Sequence, residues 1–324
     1  MDLQNYKPYL VKFQSLIALI LLCIGISLLS DRFLTMENGW NVMRQISVNI
    51  CISVGITRVV ITAGIDLSVG SILALSGAVA AGLIKDGIAL ESANLYIGFT
   101  VTGAVLGALV TGTVLGTFNG WVITRFKVPP FVATLAMLTI ARGLTLLYTK
   151  GFPISGLGDN FAYLGTGWLF GIPVPVWIAG CVVLFAIVVM TKTRLGRYIY
   201  AIGGNESAAR LSGINITKVK IIVYGFAGLL AGVGGVLVTS RLNSAQPNAG
   251  INYELDAIAA VVIGGTSLSG GRGKIMGTVL GAIIIGVLNN GLVLLNVSPF
   301  WQQVVKGAVI LLAVIIDKSN AKNR

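Results

Sequence analysis

Residues 92–124 read SANLYIGFTVTGAVLGALVTGTVLGTFNGWVIT, an unbroken run without Asp, Glu, Lys or Arg. A hydrocarbon core about 30 Å thick is crossed by roughly 20 mostly apolar helical residues, so this run holds one membrane span with length left over for a connection. Within it Gly112, Gly116 and Gly120 fall four residues apart. On a helix they share one face, where the missing side chains let another backbone come close. The run also has an echo further along. Gly103-Ala104-Val105-Leu106-Gly107 returns as Gly277-Thr278-Val279-Leu280-Gly281, Asn119-Gly120 as Asn290-Gly291, and Val128-Pro129-Pro130-Phe131 as Val297-Ser298-Pro299-Phe300. Three matches in one order, offset by 174, 171 and 169 residues, indicate an internal repeat.

Composition extends the membrane reading to the whole chain. Of 324 residues 55% are hydrophobic and only 10% charged, against about 25% charged in a soluble domain. A mean hydropathy of +0.89 and 42 glycines suit a helical membrane protein and exclude a soluble globule. Histidine is absent, and Cys23, Cys51 and Cys181 each sit in an apolar run. Zinc sites, haem attachment and a disulfide framework therefore lack ligands, no metal site is expected, and the cysteines read as buried thiols. The formal charge of +12 does not point to nucleic acid, because the cations occupy short gaps between apolar runs rather than one basic face.

Ten segments emerge: residues 13–30, 46–63, 67–84, part of 92–124, 128–147, 174–191, 221–240, 255–266, the first part of 275–305, and 304–316. Segment 255–266 is too short to cross unaided and reads as re-entrant or broken. Segment 13–30 follows Lys7 and Lys12 without a small-x-small cleavage site in 27–32, so it reads as an uncleaved first helix. With ten crossings and a cytoplasmic amino terminus, fifteen of the 23 cations fall in inside connections and five outside, which favours both termini inside. Segments four and five then return as nine and ten, five crossings later. An odd separation inverts the second copy, and inverted repeats are a transporter architecture with the substrate route between the halves. The chain is expected to be one membrane domain, 1–324, with repeat halves at about 15–150 and 174–317.

The run from Gly264 to Lys274 resembles a phosphate loop without matching one. Gly-x-x-x-x-Gly-Lys-Ser/Thr needs Gly at 268 and Ser or Thr at 275, where Leu268 and Ile275 stand. The chain is thus not expected to bind ATP or any other cofactor itself. It offers no convincing nucleophile and base pair, so no catalytic residue is assigned and it reads as a non-enzyme.

The connection 191–220 carries six cations and one acid, Glu206. Asn205 is placed to cap a helix, Glu206 to sit at its positive end, and Gly213 to end it in a left-handed turn. Such a two-turn helix either docks into a cleft on another protein or is a basic connector that sets orientation.

Here the residues carry a strong resemblance. The stretch from Thr193 to Glu206, then Ala208-Ala209-Arg210-Leu211-Ser212-Gly213-Ile214-Asn215, resembles the cytoplasmic loop of bacterial ribose-family ABC importer permeases. Gly64-Ile65-Asp66-Leu67-Ser68-Val69-Gly70-Ser71, Ser244-Ala245-Gln246-Pro247 and Tyr253-Glu254-Leu255-Asp256-Ala257-Ile258-Ala259-Ala260 are similar to that family in the same order, over about residues 15–317. The resemblance implies a type II-like ABC importer permease fold, all-α and integral to the inner membrane. It implies a homodimer in lipid, two cytoplasmic ATPase subunits holding ATP and Mg, and a periplasmic sugar-binding protein. It also transfers the ATPase-coupling role to Gly204, Asn205, Glu206, Ala208, Ala209 and Gly213, an E-A-A-x-x-x-G-like pattern with Ser207 inserted. Arg58 departs from the family's apolar stretch and needs a partner or a watery lining, with Asp66 the nearest carboxylate in sequence.

Other candidates remain double-sided. Asp66 and Asp256 lie at segment edges and either cap helices or face a sugar route. Asn119, Asn289 and Asn290 either bond neighbouring helices or bond sugar hydroxyls. Arg32, Arg44, Lys150 and Arg241, all placed outside, either pair with acids on a docking protein or are solvated loop charges. The expected function is ATP-driven import of ribose or a similar monosaccharide. The alternative, a secondary transporter or channel working without ATP, has no use for an ATPase dock at 191–220.

Overall fold

The computed structural model describes the backbone of residues 7–90 and 95–322. Its first half contains α1 (Lys7–Leu29), α2 (Met36–Ile61), α3 (Val69–Lys85), β1 (Ile88–Leu90), β2 (Leu95–Ile97), α4 (Val101–Arg125) and α5 (Pro130–Thr149). A connection follows with β3 (Ile154–Ser155), α6 (Asp159–Thr166), β4 (Trp168–Leu169) and β5 (Ile172–Pro173). Then come α7 (Val174–Lys192), α8 (Arg194–Gly204), α9 (Glu206–Leu211), α10 (Ile216–Leu242), β6 (Ser244–Ala245), α11 (Tyr253–Ile263), α12 (Ile275–Leu294) and α13 (Pro299–Lys322). Helices α2, α4, α5, α7, α10 and α12 are long and apolar enough to cross a membrane, and shorter apolar helical stretches cover Ser15–Leu29, Val69–Lys85 and Pro299–Ile315. The chain is a multi-pass helical membrane protein.

Local chemistry sets the helix starts. Thr35, Thr100, Thr193 and Asn215 accept backbone N–H groups at the first turns of α2, α4, α8 and α10, satisfying donors that a helix start leaves free. The Thr35 cap explains why α2 begins ten residues before the apolar segment at 46–63. Hydropathy finds the membrane-embedded part of a helix, whereas the cap and the polar turns at Asn38, Asn41 and Gln45 extend it outward. Pro299, as the first residue of α13, likewise starts that helix ahead of 304. Helix α11 keeps only 11 residues, about 16 Å of rise, so the eighth segment is short as expected. It ends where Gly265 turns left-handed at φ 83°, with Thr266 N–H donating to Val261 O at 3.1 Å.

Helix α10 lies at the centre, packed on α4, α3 and α2, while α12 packs on α11, α2 and α1. The α4–α10 seam is a close backbone contact. A Cβ added at Gly112 would strike the Gly228 carbonyl oxygen, one at Gly116 the Tyr224 carbonyl oxygen, and one at Gly228 the Gly112 carbonyl oxygen. The glycine stripe read from the sequence is thus a backbone-to-backbone contact. Buried Thr57 and Thr278 join α2 to α12 through a 2.8 Å hydroxyl pair. The strands form three short antiparallel pairs, β1 with β2, β3 with β6 and β4 with β5, all at the helix ends opposite α8 and α9. The end that carries α8 and α9 is called the loop face, and the end that carries the strand pairs the hairpin face.

Candidate functional site

On the loop face α9 is built as its sequence predicts. Asn205 Oδ1 accepts the Ala208 N–H at 2.9 Å, and Gly213, at φ 82°, closes the helix with its N–H donating to Arg210 O at 3.0 Å. Lys220 Nζ donates to Glu206 Oε2 at 2.7 Å and Arg210 to Oε1 at 3.3 Å, so α9 is tied to the first turns of α10. The Lys220 hydrogen bond holds the Glu206 carboxyl below its ordinary value, against partial desolvation, with the charges of Lys220 and Arg210 adding to the shift. Ala209 is buried against the body, Ala208 faces out, and Leu211 beside it is 91% exposed. An apolar tip next to a small residue makes a knob on this face. Only Leu211's exposure escapes the sequence, since nothing in a helical pattern says which apolar residue is left uncovered. Behind α9, a groove runs against Lys127, Pro129 and Pro130 at the α4–α5 turn.

The glycine run 264–274 supports α8. Gly271 N–H donates to Ile61 O at 2.9 Å, Tyr200 OH donates to Gly273 O at 2.8 Å, and a Cβ at Gly203 would collide with the Ile61 carbonyl oxygen. The run therefore joins α2, α8 and the α11–α12 connection through backbone contacts.

Arg58 does not pair with Asp66. Its side chain is buried, at 1% exposure, and its guanidinium carbon stands 4.9 Å from the centre of the Phe226 ring. Its three nitrogens have no hydrogen-bond partner among the described residues. A ring face attracts a cation through its quadrupole, by roughly 2 kcal/mol when desolvated, and among the described residues that ring is the partner Arg58 meets. Asp66 instead accepts from Ser68 N–H at 2.9 Å and Ser68 Oγ at 2.6 Å, ordering the residues that lead into α3. Asn119 donates to Ser68 Oγ at 2.9 Å. Asp66 and Asn119 thus meet through one serine in a fully buried cluster, close to the capping and helix-joining readings.

The other three candidates divide. Asn290 exchanges two bonds with Asn38 of α2, at 2.8 and 3.0 Å, and joins helices. Asn289, one residue earlier, donates to Asp256 Oδ2 at 3.2 Å, and the same oxygen accepts from Lys306 Nζ at 3.1 Å. Asp256 therefore does not cap α11. It joins α11, α12 and α13 at the wall of a cavity of about 200 Å³. Helix α2 contributes Gln45 and Asn49 to that wall, and α13 contributes Gln302. Lys306, Gln302, Gln45 and Asn49 are site residues that the sequence reading missed. The one signal they carry in the sequence is polarity at the ends of apolar runs.

Among the basic residues placed outside, Arg32 and Lys150 are exposed. Arg44 is half-buried, 4.9 Å from the centre of the Trp168 ring. Arg241, at the end of α10, lines the cavity, so it is drawn inward from the loop position expected for it.

The chain has relatives along nearly its whole length. Residues 39–314 match the family described as the branched-chain amino acid transport system / permease component. The ribose import permease protein of Escherichia coli strain K12 is 51% identical over 315 residues, 96% of this chain and 95% of that one. The ribose import permease protein of Bacillus subtilis strain 168 is 51% identical over 319 residues, 98% and 96% of the two chains. The D-allose transport system permease protein of Escherichia coli strain K12 is 39% identical over 307 residues, 95% and 91%. No solved structure matches.

Proposed function

We propose, since the chain belongs to the permease-component family that matches its residues 39–314, that it is the membrane subunit of an ATP-driven importer for ribose. The carrying observation is the 51% identity to a ribose import permease across 96% of the chain, higher than the 39% to the allose permease. The importer comprises two copies of this chain in the bacterial inner membrane, two cytoplasmic ABC ATPase subunits that hold ATP and Mg, and a periplasmic sugar-binding protein. This chain holds no cofactor and catalyses no reaction.

The reading includes ten spans in one domain, 1–324, with inverted halves at 15–150 and 174–317. The packing favours it: α10 rests on α4 and α3 as α2 rests on α12 and α11, and α3 contacts α5 as α11 contacts α13. That exchange is what a two-fold relation between α2–α5 and α10–α13 would produce. The loop face is cytoplasmic, with both termini, because most cations gather there. On that face the segment 191–220 is the ATPase dock, with Gly204, Asn205, Glu206, Ala208, Ala209 and Gly213 forming its capped helix. Arg32, Arg44 and Lys150 meet the binding protein. Asp256 and Asn289 line the sugar route, while Asp66, Asn119 and Asn290 hold the helices around it.

The test is labelled ribose uptake into proteoliposomes containing this protein, its ATPase and the binding protein, with and without ATP. Uptake that needs both ATP and the binding protein supports the reading. Uptake without ATP replaces it with a gradient-driven carrier or channel. Glu206→Arg is expected to lower ATP-driven uptake at least tenfold with protein levels unchanged, and normal uptake in that variant removes the coupling role of α9.

A further inference from the structure

We infer that the cavity between α2, α11, α12 and α13 is a transit subsite for a neutral polyhydroxylated guest, received by the Asp256–Asn289–Lys306 network. The inference rests on the importer reading and assigns one place within it.

The wall chemistry suits hydroxyl groups. Gln45, Asn49, Asn289 and Gln302 are amides, and each both donates and accepts, as a hydroxyl does. The Asp256 carboxylate is answered on the spot by Lys306, so a guest need not bring charge to balance it. Arg241 adds one cation, too little against four amides and a matched pair to make an anion site. Asn289 Nδ2 is committed to Asp256, while Asn289 Oδ1 is buried with no hydrogen-bond partner among the described residues. Leaving such an oxygen unsatisfied is unfavourable, so the Asn289 amide is held less firmly than its neighbour's and is free to exchange its bond to Asp256. Asn290 gives the contrast, since its Oδ1 accepts from Asn38 and its Nδ2 donates to Asn38.

Position supports the chemistry. Gln45 falls in the first half of α2, Asn49 at its middle and Gln302 and Lys306 in the first half of α13, while Asn289 and Asp256 lie toward the hairpin-face ends of α12 and α11. The cavity therefore occupies the hairpin-face half of the membrane, where a binding protein delivers its sugar in the importer reading. Bonds of about 3 Å to one Asp256 oxygen are easily exchanged for bonds to a passing hydroxyl. The subsite holds the sugar weakly and transiently.

The experiment uses the full chain with its ATPase and binding protein in proteoliposomes, with Cys23, Cys51 and Cys181 changed to Ser and Val293→Cys introduced, at a cavity-lining position outside the polar network. A membrane-impermeant methanethiosulfonate is applied from the hairpin face. Modification is expected, ATP-driven ribose uptake should then fall at least tenfold, and added ribose should slow the modification at least threefold. Modified protein, identified by its mass, that still transports within twofold of the unmodified variant overturns the inference, as does an introduced thiol that never reacts. Protection by ribose 5-phosphate but not by ribose overturns the neutral guest. If Val293→Cys does not reach the membrane, Val48→Cys on α2 is read in the same way. Absence of ATP-driven uptake in the unsubstituted protein overturns the importer reading itself, so the two failures are separable.

Discussion

The α4–α10 seam is closed by backbone along its length, whereas α11 and α12 meet backbone to backbone only toward the loop face, at Gly264, Gly277 and Gly281, and beyond that point polar side chains hold them with α2 and α13 around a cavity. In the first region glycines remove the side chains that would keep two helices apart, and a carbonyl oxygen of one helix fills the space where a Cβ of the other would stand. In the second region α11 stops after 11 residues, and the space beside it is bridged by Asp256, Asn289 and Lys306. Asp66 and Asp256 carry the same contrast in miniature. One is fully buried with Oδ1 on Ser68 and Oδ2 unpartnered among the described residues, the other faces a cavity. Small residues make a membrane contact fixed and dry, and a short helix with polar neighbours leaves an opening that water or a guest can enter.

The contrast breaks first at the seam. Gly228→Leu drives a side chain into the Gly112 carbonyl, and overpacking of this kind costs about 3 kcal/mol. Most of the protein should be lost from the monodisperse peak in size-exclusion chromatography. Gly307→Leu, where an added Cβ meets nothing within 4 Å, should elute as the unsubstituted protein does, and equal behaviour of the two would refute a backbone-closed seam. Next in size, Asp66→Ala removes both bonds to Ser68 and should lower stability by about 2 kcal/mol, read as a fall in Tm. Asp256→Asn should lower Tm less, because Lys306 keeps 25% of its side chain exposed and stays hydrated, yet it should reduce ribose uptake at least tenfold. Reversal of that ranking would erase the distinction between the two acids.

Smaller effects sharpen it. Asn290→Ala loses its exchange with Asn38, about 1 kcal/mol for a pair within the membrane, and should leave uptake within twofold. A comparable loss of uptake from Asn290→Ala would make both asparagines route residues. The smallest effect concerns α9. Its Glu206 has a folded pKa below the ordinary 4.5, so the pairing contributes fully above that value and fades as pH falls through the lower folded value. Because Glu206 keeps 41% of its side chain exposed, the loss of its pairing is worth about 1 kcal/mol or less. Proteolysis of the 191–220 segment should quicken only below about pH 4.5, and an onset near neutrality would contradict the pairing.

What could be read from the chain follows the range of the interactions. Asn205, Ala208 and Gly213 lie within nine residues of one another, and their capped helix is written locally. Gly112, Gly116 and Gly120 announce a close contact through their spacing alone, though not that α10 is the partner. Asp256 meets Lys306 across 50 residues of sequence, and Arg58 meets Phe226 over a still longer interval. No periodicity encodes such meetings. A buried cation suggests a carboxylate or water as its partner, whereas for Arg58 an aromatic face serves. Gln45 is inconspicuous because a polar residue beside an apolar run looks like its edge, and Asn49, inside the run, because a lone amide there looks like a helix-joining group rather than the lining of a hole.

Helix α10 has one further consequence, and it is mechanical. It is a single rod of 27 residues, roughly 40 Å long, whose Lys220 grips α9 at one end and whose Arg241 reaches the cavity wall at the other. The glycine seam clamps that rod to α4, so the two turn together. A tilt of about 3° moves the far end by about 2 Å, enough to make or break a hydrogen bond. Displacement at one membrane surface is thereby felt at the other through a continuous covalent strut, with no loop between them to absorb it.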